Sequence, residues 1–175
     1  MAAQKDGLSE AALEKVDETA TSSLLYTLAM GSNLFAGAHA APYTLPLNDK
    51  LFVRQSEVIR SLAEKESCVI IGRCADYVLR ENDSRLSVFV YGDLECRKKR
   101  VCQRHEGTTP AQALDIINKT DRRRASYYNF YTGSKWGRHD NYHISVNSSL
   151  LGVEGTARLI AEAARMKLAE KENEG

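Results

Sequence analysis

The sequence predicts an α/β protein built on a parallel sheet with helices on both faces. Three short β-branched runs predict the sheet: Ser67-Cys-Val-Ile-Ile-Gly-Arg, Leu86-Ser-Val-Phe-Val-Tyr-Gly and Tyr142-His-Ile-Ser-Val-Asn. The first two are apolar on both faces and too short for helices, the pattern of strands buried from both sides. Stretches of helical periodicity separate the runs, and strands alternating with helices are the mark of a parallel sheet.

Taken in order, Leu8-Ser-Glu-Ala-Ala-Leu-Glu-Lys-Val opens a helix with Ser9 as cap and Leu13 and Val16 at helical spacing. Asp17 to Asn48 holds Gly31, Gly37, Pro42 and Pro46, with Leu24, Leu25, Leu28 and Met30 as a second short helix, and reads as a helical hairpin ending in a mobile loop. Asn48 or Asp49 caps an amphipathic helix with Leu51, Phe52, Gln55, Val58, Ile59 and Leu62 on one side, ending near Lys65. The first strand follows and ends at Gly72; Ala75 to Arg80 reads as helix and Glu81 to Arg85 as a polar loop. The second strand ends at Gly92, with a helix from Asp93 and another over Pro110 to Tyr131. The third strand leads through Asn147-Ser148-Ser149 into a last helix from Val153 to Lys171. No repeat or interdomain linker interrupts the chain, and one domain spanning 1–175 is expected.

Composition narrows the function. Twenty-four basic against 23 acidic residues leave a formal charge of +1, which argues against a nucleic-acid-coating protein and for a small anion as ligand. The cysteines Cys68, Cys74, Cys96 and Cys102 include no Cys-x-x-Cys pair, so no zinc site is expected. No charged leader with an apolar stretch opens the chain, and no apolar run approaches the ~20 residues of a membrane span. The expectation is a soluble, reduced, cytoplasmic protein.

Lys119 to Tyr131, reading Lys-Thr-Asp-Arg-Arg-Arg-Ala-Ser-Tyr-Tyr-Asn-Phe-Tyr, places three arginines and three tyrosines in thirteen residues. On a helix each residue turns about 100°, so Arg122, Arg123 and Arg124 fan across more than half the circumference. The pairs Arg123 with Tyr127, Arg124 with Tyr128 and Tyr127 with Tyr131 are each four apart, within stacking reach. Guanidinium is a planar fork of donors matched to phosphate or carboxylate; a solvated basic helix is the plain alternative. The preceding helix carries Arg97, Arg100 and Arg104 on one stripe beside Lys98 and Lys99, for which the alternative is pairing with Asp93, Glu95 and Glu106 on a solvated face. Ligands of open parallel sheets bind beyond the carboxyl ends of the strands, where Arg73, Asp93, Asn147 and Ser148 fall. An arginine-bearing helical excursion suits phosphoryl transfer, which needs charge stabilisation, in-line positioning and exclusion of water.

With these residues in view, Pro46-Leu-Asn-Asp-Lys-Leu-Phe-Val, Val69-Ile-Ile-Gly-Arg-Cys-Ala-Asp-Tyr-Val-Leu, Lys119-Thr-Asp-Arg-Arg-Arg-Ala-Ser-Tyr-Tyr-Asn and Asn147-Ser-Ser resemble the cytidylate kinase-like family of P-loop proteins, over essentially the whole chain. The resemblance implies a nucleoside monophosphate kinase architecture, with ATP and Mg as donor and a nucleoside monophosphate, of (deoxy)cytidylate type, as acceptor. It implies that Arg73 binds the acceptor phosphate, with Asp76 and Arg122 on the substrate side. Arg97, Arg100, Arg123 and Arg124 would contact phosphates in the closed state, and Asn147 with Ser148 would lie on the cofactor side. Residues 17–48 would be the monophosphate-binding insertion and 110–136 the lid. Two features depart from the family. No Gly-x-x-x-x-Gly-Lys-[Ser/Thr] loop or glycine-rich variant is present, and the central strand that precedes such a loop is missing, so the chain is expected to be amino-terminally truncated and inactive alone. Cys74 also stands where cytidylate kinases carry an acid, the first acid coming at Asp76. A non-catalytic nucleotide- or phosphometabolite-binding protein is the alternative; RNA binding through the Arg-Tyr segment is a minor third.

Overall fold

A computed structural model describes residues 47–174, which divide after Val78 into two compact units. The helices and loop expected over residues 8–46 lie outside the described residues. The first unit contains α1 (Leu47–Lys65) and α2 (Ala75–Val78). Asp49 in the first turn of α1 and Lys65 in the last complement the helix dipole. The expected inner face is confirmed: Leu51, Phe52, Gln55, Val58, Ile59 and Leu62 are all buried or half-buried, Ile59 most deeply. Ser56, also buried, satisfies its hydroxyl by donating to the Phe52 carbonyl at 2.8 Å. Helix α2 stops at Val78, short of the expected Arg80, where a turn takes over with the Asn82 N–H donating to the Leu79 carbonyl at 2.9 Å.

The strand expected over Cys68–Gly72 does not form. Val69 is 93% exposed and Ile71 88%, and the run pairs with no strand among the described residues. The reason is cooperative. A strand's N–H and C=O groups need a neighbour on the ladder, and β-branched propensity without one cannot hold an extended ribbon in a sheet.

The second unit holds β1 (Val88–Tyr91) and β2 (Ile144–Asn147), parallel and paired Val88 to Ile144 through Tyr91 to Asn147. Both are trimmed versions of the expected strands. Among the described residues the sheet therefore has two strands, not the three expected. The crossover between them carries α3 (Leu94–Arg104) and α4 (Pro110–Thr132). Helix α4 has strong ends. Thr109 and Gln112 form a reciprocal capping box, Pro110 follows the cap, and Gly133 closes the helix in the left-handed region. Beyond it the Trp136 N–H donates to Asn129 Oδ1 at 2.7 Å, turning the chain back. That return builds an aromatic cluster on one face of β1: the Phe89 ring meets Trp136 edge-on at 5.4 Å and Tyr142 at 5.0 Å, and Tyr142 meets Tyr128 at 6.3 Å.

The last helix, α5 (Ser148–Glu174), begins directly at the end of β2. Gly152, at φ 68° and ψ −178°, breaks it, and the helix resumes at Val153, the expected start. Among the described residues no helix is long and apolar enough to cross a membrane.

Candidate anion site between two arginine helices

Helices α3 and α4 pack against each other, and between them lies a cleft of about 270 Å3. One wall is the α3 stripe Arg97, Arg100, Val101 and Arg104; the other is Ile116, Ile117, Thr120 and Arg124 of α4. These spacings are helical neighbours, so each helix delivers one face to the cleft. The sequence expectation for Arg97, Arg100 and Arg124 thus has a physical meeting place. Arg122 and Arg123 are exposed and do not line it.

The solvated-face pairing expected for these cations is met in part, by Lys98. Glu95 pairs with Lys98 at 2.9 Å, and the Asp93 carboxylate accepts from Asn147 Nδ2 at 2.9 Å. Arg97 instead reaches across to α4, its Nη1 and Nη2 donating to the two Asp121 carboxylate oxygens at 2.8 and 2.7 Å. Among the described residues Arg100 and Arg104 make no ion pair, although Arg100 is half-buried. An uncompensated guanidinium held partly out of water is costly unless an anion answers it. The cleft is lined by arginines together with the apolar Val101, Ile116 and Ile117.

The strand-end residues form a second arrangement, beside this one. Asn147 Oδ1 accepts from the Ser149 N–H at 2.9 Å while its Nδ2 donates to Asp93. Ser148 Oγ donates to the Tyr91 carbonyl at 2.8 Å, and Ser149 Oγ accepts from the Asp93 N–H at 2.9 Å. Together they tie the ends of β1 and β2 to the start of α3. Gly92 makes this approach possible: a β-carbon there would stand 3.2 Å from both the Ser148 and Ser149 hydroxyls and 3.6 Å from Arg97 Cγ.

In the first unit, Gly72, Arg73 and Cys74 all lie in the left-handed region, at φ 72°, 58° and 54°. For Arg73 and Cys74 this conformation costs about 1–2 kcal/mol each. Cys74 is buried, and its carbonyl accepts from the Tyr77 and Val78 N–H groups, opening α2, whose first turn holds Asp76. Strain of this kind concentrates at functional positions and here sets the direction in which Arg73 leaves the chain.

Sequence reasoning did not single out Asp121, Thr120 or His143. Asp121 stands 24 residues from Arg97, and no local signal joins them. His143 Nδ1 accepts from the Ser87 N–H at 3.1 Å. Partial burial, then the charges of Arg85 and Lys167, hold its pKa below the ordinary 6.5. The tyrosines were legible as a pair, with Tyr127 and Tyr131 at 4.8 Å. Tyr127 and Tyr128, however, are buried in the core, which withdraws them from any surface that stacks RNA bases.

Residues 1–150 match the family model described as the cytidylate kinase-like family. Among solved structures, an uncharacterized protein from Eubacterium ventriosum is 36% identical, with 68% of this chain and 74% of that chain covered and a TM-score of 0.64. No curated protein matches.

Proposed function

The chain belongs to the cytidylate kinase-like family, and we propose that it supplies the phosphate-handling residues of a nucleoside monophosphate kinase acting on a cytidylate-like acceptor. The observation that supports this best is the α3/α4 cleft, where arginines from two helices face one space and two of them lack a counter-ion among the described residues. Phosphoryl transfer spreads negative charge over the oxygens of the moving group, and prepositioned cations in a partly dry cleft stabilise it with little reorganisation. Arg100 and Arg124, on opposite walls, suit that task. Arg73, held by its strained backbone, is the acceptor-phosphate ligand of this reading, and residues 110–136, α4 and its return, are the lid.

ATP, with its Mg, supplies the transferable phosphoryl group. The arginine cleft suits a phosphate chain, and no Gly-x-x-x-x-Gly-Lys-[Ser/Thr] loop occurs in the sequence to cradle the donor. Asn147 and Ser148 spend their polar atoms on Asp93 and Tyr91; their part is to fix the strand ends that carry α3 and α5.

The test is calorimetry with CMP and dCMP on the full chain, beside a coupled ADP-release assay with Mg-ATP. CMP binding that Arg73→Ala abolishes is expected, with turnover appearing only when a donor-loop segment is supplied. Failure of both nucleotides to bind overturns the acceptor site. Tight binding without turnover in the presence of the donor loop favours the non-catalytic nucleotide-binding alternative.

A further inference from the structure

We propose that Arg104 is an anion-binding residue of the α3/α4 cleft and that Arg97 is not: Arg97 and Asp121 clasp the two helices together, leaving Arg100 and Arg104 to grip a di- or triphosphate chain. The inference rests on the phosphate-handling reading and redistributes its residues.

The Arg97 fork is committed. Both terminal nitrogens are engaged by both carboxylate oxygens at 2.7–2.8 Å, the bidentate geometry in which guanidinium and carboxylate satisfy each other's charge. Asp121 is thereby neutralised within the site, and it is the carboxylate nearest in sequence to Thr120 and Arg124, which line the opposite wall. The two arginines that follow Arg97 on α3 keep their charge. Arg100 and Arg104 follow Arg97 on the same face of α3 and flank Val101, and neither has an ion pair among the described residues.

Spacing then selects the ligand. Arg100 and Arg104 are one turn apart, about 6 Å along the axis at 1.5 Å per residue. A lone orthophosphate must be shared by both guanidinium groups, whereas a chain of two or three phosphates offers each of them its own phosphate along the stripe. The cleft, at about 270 Å3, is at the lower edge of the roughly 300–1,000 Å3 typical of small-molecule sites. It has room for a phosphate chain. Thr120 adds a neutral hydroxyl donor on the facing wall.

Inorganic pyrophosphate is the probe, titrated into the full chain at low salt by calorimetry, with melting temperature measured alongside. Arg104→Gln and Arg100→Gln should each weaken pyrophosphate about tenfold, the loss of one charge-assisted hydrogen bond, without moving the melting temperature. Arg104→Lys should recover most of the affinity. The paired variant Arg97→Gln with Asp121→Asn removes the clasp without adding charge; it should lower the melting temperature by a few degrees and leave affinity within about threefold. Orthophosphate should bind at least tenfold more weakly than pyrophosphate. Wild-type affinity in Arg104→Gln, or loss of binding in the clasp variant, overturns this division of roles and leaves the phosphate-handling reading standing. No pyrophosphate binding by the wild type overturns the cleft as a polyphosphate site, while CMP binding through Arg73 is judged separately.

Discussion

The ring of Phe89 lies against Gly137, its Cζ 3.0 Å from where a β-carbon on that glycine would stand, and Gly137 itself sits at φ 74°. A strand residue and a loop residue 48 positions away are thus fitted to each other through the absence of a side chain. Phe89 cannot retreat easily, because Trp136 and Tyr142 pack its edge and face. Gly137→Ala should therefore cost about 3 kcal/mol, combining left-handed backbone strain with overpacking against a confined ring. Gly107→Ala is the control: its φ is 79° but nothing lies within 4 Å of the new carbon, so only the backbone part, about 1–2 kcal/mol, should be lost. Urea unfolding of the two variants measures the difference, and equal losses would mean that the ring does not confine Gly137.

Arg73 offers a test in which the usual order of two residues is reversed. In ordinary extended or helical backbone alanine is the more stable choice over glycine. At φ 58° the preference inverts, and Arg73→Gly should unfold at higher denaturant than Arg73→Ala by about 1 kcal/mol. Both variants should lose CMP binding to the same extent, since both lack the guanidinium. An alanine variant as stable as the glycine one would show that the left-handed turn is not imposed by its surroundings.

His143 should make stability depend on pH in one direction. Its folded pKa is lowered below 6.5, by desolvation and by Arg85 and Lys167, and a proton on Nδ1 would also remove the acceptor for the Ser87 N–H. Above 6.5 the ring is neutral in both states and its contribution is complete. As pH falls from 6.5 through the folded pKa, the unfolded chain takes up the proton first and stability declines. His143→Asn keeps an acceptor near the same place but cannot titrate, so denaturation midpoints measured across that window should flatten in the variant. A slope unchanged from wild type would assign the pH dependence to other groups.

How much of this was legible in the sequence depends on the range of the interaction responsible. The Pro110 start of α4 and the resumption of α5 at Val153 are decided by residues a few positions apart and appear where the pattern placed them, and α4 ends at Thr132, one residue beyond the expected Tyr131. The arginine stripe of α3 was readable for the same reason: residues three and four apart must share a face. Family membership, too, was carried by short local motifs.

The remainder needed the folded chain. Cys68–Gly72 has the composition of a buried strand, but a strand exists only through its neighbours, and that run has none among the described residues. Asp121 looked like one acid beside three arginines; only the packing of α3 on α4 made it the partner of Arg97 and so left Arg100 and Arg104 uncompensated. Tyr127 and Tyr128 are buried, which the four-residue spacing to the arginines did not indicate. Which residues share a helix face, and which family the chain joins, follow from local spacing and short motifs. Which charges meet, and which remain for a ligand, was decided by tertiary contacts between residues tens of positions apart, for which the linear sequence holds no local signal.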